Sequence, residues 1–369
     1  MTENHSTPET GGEGPAPNPA PIDPEAKETP ATFRLVWKLF WTIPKIGLWV
    51  SMTPVVLVTG LWASFAIYFS NLPGQPLRTI AAWAFGLGSV AAFLFIRGRL
   101  RTLILYGVAF GIVFLWWMLI PASNDRDWVP DVAQMPTAEV EGNNLTIHNV
   151  RNFDYRSVDD YDAVWETRKY NLDELRTLDL ILSDWGLGDI VHTMLSFGFD
   201  DGDYLCLSAE TRREKGEPWD IVRGLFKQYE LTYILADERD LLRLRTSFRK
   251  EDVYIYPTRT PPEGVRKVMD EVIAQINKLA KRPKYYHTIT HNCTMGLLPL
   301  LDPIRTHREW DIRFFKNGLT AEMVYENGKI DSDLPYEELK KRAHANQYVE
   351  NDPVALEFSQ RVRAWRSEK

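Results

Sequence analysis

The sequence predicts an α+β domain carried behind three membrane-crossing helices. Three uncharged apolar runs crowd together near the N-terminal end. Behind them, period-2 and period-3.6 apolar patterns alternate along the chain, which is the mark of mixed strands and helices. An Asp-Asp-Gly-Asp joint between two of the strand-like runs supplies a hairpin signal.

Met1 to Thr32 is rich in Pro, Glu, Thr and Gly and holds almost no large apolar side chain. Such a stretch buries too little surface to offset its ordering entropy, so a disordered cytoplasmic tail is expected over 1–32. It lacks the short apolar core and cleavage site of a secretory signal.

A membrane domain is expected over 33–121, with spans at about 46–69, 80–96 and 103–120. A spanning helix needs roughly 20 apolar residues, with about 17 to 25 tolerated. Arg34, Lys38 and Lys45 precede the first run, and Arg97, Arg99 and Arg101 join the second to the third; the other connection carries only Arg78. Positive charge gathers on the cytoplasmic side, which places the N-terminus and the Arg97–Arg101 turn inside. An odd number of spans then puts all that follows outside the cytoplasm. Trp116, Trp117 and Trp128 fit an interfacial aromatic belt.

A linker is expected over 122–144, marked by Pro130 and Pro136, and one domain over 145–369. Leu145 to Phe153, Leu178 to Trp185, Tyr229 to Leu235 and Asp252 to Tyr256 read as strands. Asp189 to Phe199 and Tyr204 to Thr211 read as a hairpin around Asp200-Asp201-Gly202-Asp203. Trp219 to Phe226 reads as a short helix. In Glu263 to Lys281, Val265, Val268, Met269, Val272, Ile276 and Leu279 recur at helical spacing, so this stripe is packing surface. Cys293 to Leu301 reads as a helix closed by Asp302-Pro303. A mostly antiparallel sheet covered by helices follows.

The chain is acidic overall, with formal net charge −7, and has no basic stripe of the kind nucleic-acid binding requires. It lacks a His-Glu-x-x-His or Cys-x-x-Cys pattern, a Gly-rich phosphate loop and a Gly-x-Ser-x-Gly elbow, so no metal or cofactor is expected. Two cysteines are present. Cys206 lies in the apolar strand Tyr204-Leu205-Cys206-Leu207 and reads as a core filler. Cys293 lies where a polar loop, Thr288 to Asn292, enters an apolar helix. A helix N-terminus favours the thiolate, and its free N–H groups can hold an oxyanion. A disulfide between the two is the competing reading, which an extracytoplasmic site permits. Among His148, His192, His287, His291, His307 and His344, the candidate base is His192, held on a strand. Ser208 and Glu210 share a face of the next strand and are candidates to orient its ring, although Glu210 also has Arg212 within reach.

The runs His192-Thr193-Met194-Leu195-Ser196-Phe197-Gly198-Phe199 and Ser208-Ala209-Glu210-Thr211-Arg212-Arg213-Glu214-Lys215-Gly216-Glu217 resemble the Lnb N-terminal periplasmic domain family. So do Gly224 to Leu231, Ala236 to Asp240 and the later Asn292-Cys293-Thr294, over about Val150 to Arg363. The resemblance implies a papain-like, permuted NlpC/P60-like fold with His before Cys, and thiol-dependent acyl transfer on bacterial lipoproteins. It implies Cys293 as nucleophile and His192 as base; an oxyanion site is expected at Asn292 and the Cys293 backbone N–H, and substrate contacts at Arg212 and Thr294. A membrane lipid or lipoprotein partner at the bacterial inner membrane, with the domain periplasmic, goes with it. Met295 stands where a second Thr often follows the Cys-Thr pair, and the three-span module departs from the membrane portion associated with the lipoprotein enzyme. A cell-wall or peptide amidase and a non-catalytic membrane-bound scaffold are the alternative functions.

Overall fold

The computed structural model describes residues 31–96, 98–305, 311–314, 316–349 and 357–367. Most of the tail expected over 1–32 lies outside these residues, as does Arg97 of the basic turn; Ala31 and Thr32 already belong to a helix. By its internal contacts the chain divides after Thr59, and the packing described below lies within Gly60–Lys369.

Three long helices open the described chain: α1 (Ala31–Tyr68), α2 (Gln75–Phe95) and α3 (Arg99–Leu119). Val50–Tyr68 of α1, and α2 and α3 along their whole lengths, are long and apolar enough to cross a membrane. Pro76 starts α2, where a missing N–H costs nothing. A Cβ on Gly86 would stand 2.9 Å from Ser64 Oγ, so α1 and α2 approach closely through small residues. Trp62 of α1 meets Trp117 of α3 edge-on at 5.1 Å. Trp128 departs from the expected aromatic belt: it is buried in the soluble domain beneath the Arg212 guanidinium, 4.4 Å from its ring.

The domain behind them is α+β. Its main sheet contains β1 (Thr137–Glu141), β2 (Asn144–Arg151), β5 (Trp165–Asn171), β6 (Leu175–Asp184), β7 (His192–Phe199), β8 (Tyr204–Arg212), β9 (Glu230–Asp237) and β10 (Asp252–Pro257), and β3 (Asp154–Tyr155) pairs separately with β4 (Tyr161–Asp162). The sheet order is β1-β2-β9-β8-β7-β6-β10, with β5 also on β2. Its ladders are antiparallel except β2 on β9. Thus β1 forms inside the stretch expected to be a linker. Trp219 to Phe226 is not the expected helix: only Arg223–Leu225 makes a 3-10 turn, because Pro218 and Asp220 favour turns.

Alternation along the strands gives the sheet two faces. Leu195, Phe197, Leu205, Leu207 and Ala209 pack under α5 (Pro262–Lys281) and α6 (Cys293–Leu301). Met194, Cys206 and Ile234 point to the other face, against α4 (Glu238–Arg243) and C-terminal segments. α6 lies close to β8: a Cβ on Gly296 would stand 3.2 Å from that of Ala209, and Tyr233 donates to the Gly296 carbonyl at 2.8 Å. Short helices α7 (Thr320–Glu326) and α8 (Tyr336–Ala343) complete this layer.

Candidate active site

Cys293 is the first residue of α6. Asn292 caps that helix, its Oδ1 accepting from Met295 N at 2.9 Å while its Nδ2 donates to Thr288 O at 3.1 Å. The amide expected to help hold an oxyanion therefore serves its own loop as an N-cap, the commonest task of Asn at that position. The Cys293 sulfur lies 3.8 Å from Val191 O, and the neighbouring His192 imidazole acts electrostatically on it. Cys206 and Cys293 are both free and buried, so the competing disulfide is absent between them.

His192 begins β7. Register with β8 sets Met194 across from Ser208, which carries the His192 ring to Ser208 and Glu210 at the end of the sheet. His192 Nε2 is 2.6 Å from Ser208 Oγ and 3.2 Å from Glu210 Oε1, and Ser208 donates to the same Glu210 oxygen at 2.7 Å. Nδ1 is the ring nitrogen left for the sulfur. Glu210 pairs with Arg245 at 3.0 Å rather than with Arg212. Arg245 sits in a π-helical turn, Leu244–Arg249, continuing from α4; such turns often redirect side chains at functional sites.

The charges reinforce one another. Burial pushes the His192 pKa down, but Glu210 and the Cys293 thiolate outweigh it and carry it up to about 9. Burial pushes the Cys293 thiol up, and the imidazolium with the Thr193 backbone N–H brings it below its ordinary value. Burial opposes the Glu210 carboxylate, yet His192, Arg245 and Ser208 hold it well below the usual range. All three shifts run in the direction of a thiolate–imidazolium pair beside an ionised carboxylate. Cys206, by contrast, is buried in the core and pushed well above its ordinary value.

Two further side chains meet this pair, and the sequence did not single them out. Asn317 Nδ2 donates to Val191 O at 2.6 Å and to Thr294 Oγ1 at 2.8 Å, and lies 3.9 Å from the Cys293 sulfur. Tyr286 brings its phenol to the Cys293 backbone N–H; burial raises its pKa, so it stays a hydrogen donor. Asn317 belongs to an Asn-Gly pair, which reads as an ordinary turn, and Tyr286 follows another Tyr in a loop, so neither carried a sequence signal.

The expected substrate contacts are placed otherwise. Arg212 is 3 % exposed; it donates to the Val132 and Ala133 carbonyls at 2.9 and 2.7 Å and to Asn124 at 3.3 Å. Its donors fasten the segment before β1 and are not presented to a ligand. Thr294 is 3 % exposed and meets Thr193 Oγ1 at 2.9 Å, joining α6 to β7. Of the other histidines, His287 accepts from Ile289 N and Thr290 N within its own turn, His344 pairs with Asp252 at 3.0 Å, and His148 meets Thr167 at 3.2 Å. His307 lies outside the described residues. A cavity of about 460 Å³, lined in part by His192, Glu210, Arg245, Trp185 and Trp219, opens beside the imidazole.

Neither the curated proteins nor the solved structures contain a match to this chain. Residues 161–318 match the profile of the Lnb N-terminal periplasmic domain family, a stretch that contains the motifs from His192 to Thr294 and is shorter than the expected extent of about Val150 to Arg363. That segment is similar to the Lnb N-terminal periplasmic domain family, and it follows three candidate membrane spans.

Proposed function

We propose that the chain is a membrane-tethered thiol acyltransferase or hydrolase, acting on an acyl ester of a lipid or lipoprotein at the outer face of the bacterial inner membrane. One observation carries this reading: Cys293 stands at a helix N-terminus beside the charge of the buried His192 imidazole, whose Nε2 is engaged by Ser208 and Glu210. That is a nucleophile, a base and an orienting acid in the relation nucleophilic acyl chemistry needs. The family assignment supports a periplasmic domain, and the basic residues around the spans support an inside N-terminus. The reading takes residues 33–121 as membrane anchor and the chain beyond the following segment as one papain-like, permuted domain.

In the proposed reaction the Cys293 thiolate attacks the ester carbonyl carbon. The resulting oxyanion is met by the Tyr286 hydroxyl, whose oxygen the Cys293 backbone N–H holds in place before the reaction. The carbon–oxygen bond breaks, His192 protonates the departing alkoxide, and the acyl group remains as a thioester. An amine or water then gives its proton to His192 and attacks the thioester, and Cys293 leaves as thiolate. Tethering raises the local concentration of a membrane-borne substrate.

The test is to incubate the full-length protein in detergent with a radiolabelled acyl-ester lipid and stop it in acid. A hydroxylamine-sensitive adduct on the Cys293 peptide is expected, absent in Cys293→Ala and His192→Ala and retained in Cys206→Ser. Label that moves with Cys206 would overturn the assignment. Altered wall fragments with unchanged lipoprotein acylation in a deletion strain would favour the amidase instead.

A further inference from the structure

The soluble domain displays its exposed large apolar side chains unevenly. Among the described residues beyond the spans there are eleven, and seven lie on three loops around the Cys293–His192 pair. Trp185, Leu187 and Ile190 stand on the loop entering β7, between 39 and 51 % exposed. Trp219, Ile221 and Val222 stand on the loop after β8, between 40 and 48 % exposed. Ile289, 47 % exposed, tips the turn that leads into Cys293. The other four, Val140, Val158, Val164 and Ile312, are scattered, as single surface apolar residues ordinarily are.

The three loops form one surface. The Trp185 ring lies 5.9 Å from Trp219 and 6.4 Å from His192. Thr288 donates to Ile221 O at 2.9 Å, tying the Ile289 turn to the second loop. Four residues beyond Val222, the same chain grips the ends of the spans. Phe226 packs on Phe69 and Phe65, each at 5.7 Å. Lys227 Nζ donates to the Trp117, Met118 and Ile120 carbonyls at 2.9, 3.0 and 3.2 Å, and Gln228 donates to Phe69 O at 2.6 Å. The apolar loops are therefore continuous with the level at which α1 and α3 leave the bilayer. Two tryptophans among exposed aliphatic side chains have the composition of a membrane–water interface.

We propose that this rim is seated in the lipid interface on the outer side of the membrane, so that the Cys293 site opens onto lipid and receives its acyl chain laterally from the bilayer. The lateral delivery rests on the acyl-transfer reading; the seating of the rim does not. A soluble peptide or wall fragment would meet a rim that faces water, which the contact with the span ends opposes.

The test reconstitutes the full-length protein in vesicles of phosphatidylethanolamine and phosphatidylglycerol that contain a phospholipid with a photoreactive diazirine in its acyl chain. After irradiation, adducts are mapped by peptide mass spectrometry. Adducts are expected on the Trp185–Ile190 and Trp219–Val222 loops as well as on α1–α3. The double change Trp219→Ser with Ile221→Ser should lower loop adducts roughly fivefold, with span adducts unchanged as an internal control of folding. Adducts confined to the spans, or loop contacts made instead between copies of the chain, would overturn the seating. The Cys293→Ala protein should give the same loop adducts. Loop adducts without a thioester in the intact protein would sink the acyl reading and keep the rim; a thioester without loop adducts would do the reverse.

Discussion

Asn317 holds both backbone polar groups of Val191: its Nδ2 donates to the carbonyl at 2.6 Å and its Oδ1 accepts from the N–H at 2.8 Å. Val191 immediately precedes His192, and the same Asn317 amide reaches Thr294, the neighbour of Cys293. One side chain thus ties the segment that carries His192 to the helix start that carries Cys293. Asn317→Ala leaves the Val191 N–H buried without its partner and the Val191 carbonyl with only the long contact to the Cys293 sulfur, at about 1–3 kcal/mol for an unmet group. A fall in melting temperature is expected, together with slower alkylation of Cys293 at neutral pH, because the imidazole and sulfur lose their register. Unchanged alkylation in a destabilised variant would reduce Asn317 to a structural tie.

The paired ionisation makes a pH signature. With the Cys293 thiol held below its ordinary value, its alkylation by iodoacetamide should begin at lower pH than that of an ordinary thiol. His192, raised to about 9, keeps its proton until the pH passes that value. Protonation of the leaving alkoxide needs the imidazolium, so acyl-enzyme formation should fall as pH rises through about 9. Cys206, pushed the other way by burial, should stay unlabelled throughout. Equal and slow labelling of both cysteines would favour a non-catalytic scaffold.

Glu210 is what keeps His192 charged. Glu210→Gln removes the carboxylate while retaining a group that can accept from Ser208. Burial then acts on the imidazolium without its strongest opponent, so the alkaline limb should move below 9. Arg245 simultaneously loses its partner at 3.0 Å. A drop in turnover of about 10- to 100-fold is expected, smaller than the loss on removing the base itself. An alkaline limb that does not move, measured on folded protein, would assign the high pKa to another neighbour.

Much of this architecture was legible because local pattern and tertiary demand agree. Glu263 to Lys281 shows an uninterrupted helical stripe, and α5 runs from Pro262 to Lys281. The Asp-Asp-Gly-Asp turn marks the β7–β8 hairpin, and helix α6 begins at Cys293. Where long-range contacts decide, the sequence was silent. β1 forms because Ala138 exchanges hydrogen bonds with Asn277 of α5 at 2.9 and 2.7 Å, and it pairs with β2. The site divides in the same way. Residues on regular elements, Cys293, His192, Ser208 and Glu210, could be read from alternation and helix position. Asn317, Tyr286 and Arg245 reach the pair from a loop, a turn and a π-helical bend, and no spacing rule announces them. Arg212 lies two residues from Glu210 on the same strand, yet its side chain donates to the carbonyls of Val132 and Ala133, contacts that no local spacing announces.

That placement of Arg212 makes the last expectation. Its guanidinium satisfies two backbone carbonyls, meets Asn124 and covers the Trp128 ring at 4.4 Å, so it acts as a fastener between β8 and the segment that follows α3. Arg212→Ala strands those carbonyls and exposes Trp128, which should cost about 2–4 kcal/mol of stability. Arg212→Lys restores a charge but cannot serve both carbonyls from one planar fork, so it should recover only part. Below the lowered melting temperature, the rate of Cys293 alkylation should match that of the unaltered protein, because none of these contacts reaches the sulfur or His192. Thermal unfolding followed by tryptophan fluorescence, alongside alkylation at a temperature where both proteins are folded, separates the outcomes. A variant with undiminished stability and a weakened dependence on substrate concentration would return Arg212 to the role of a substrate contact.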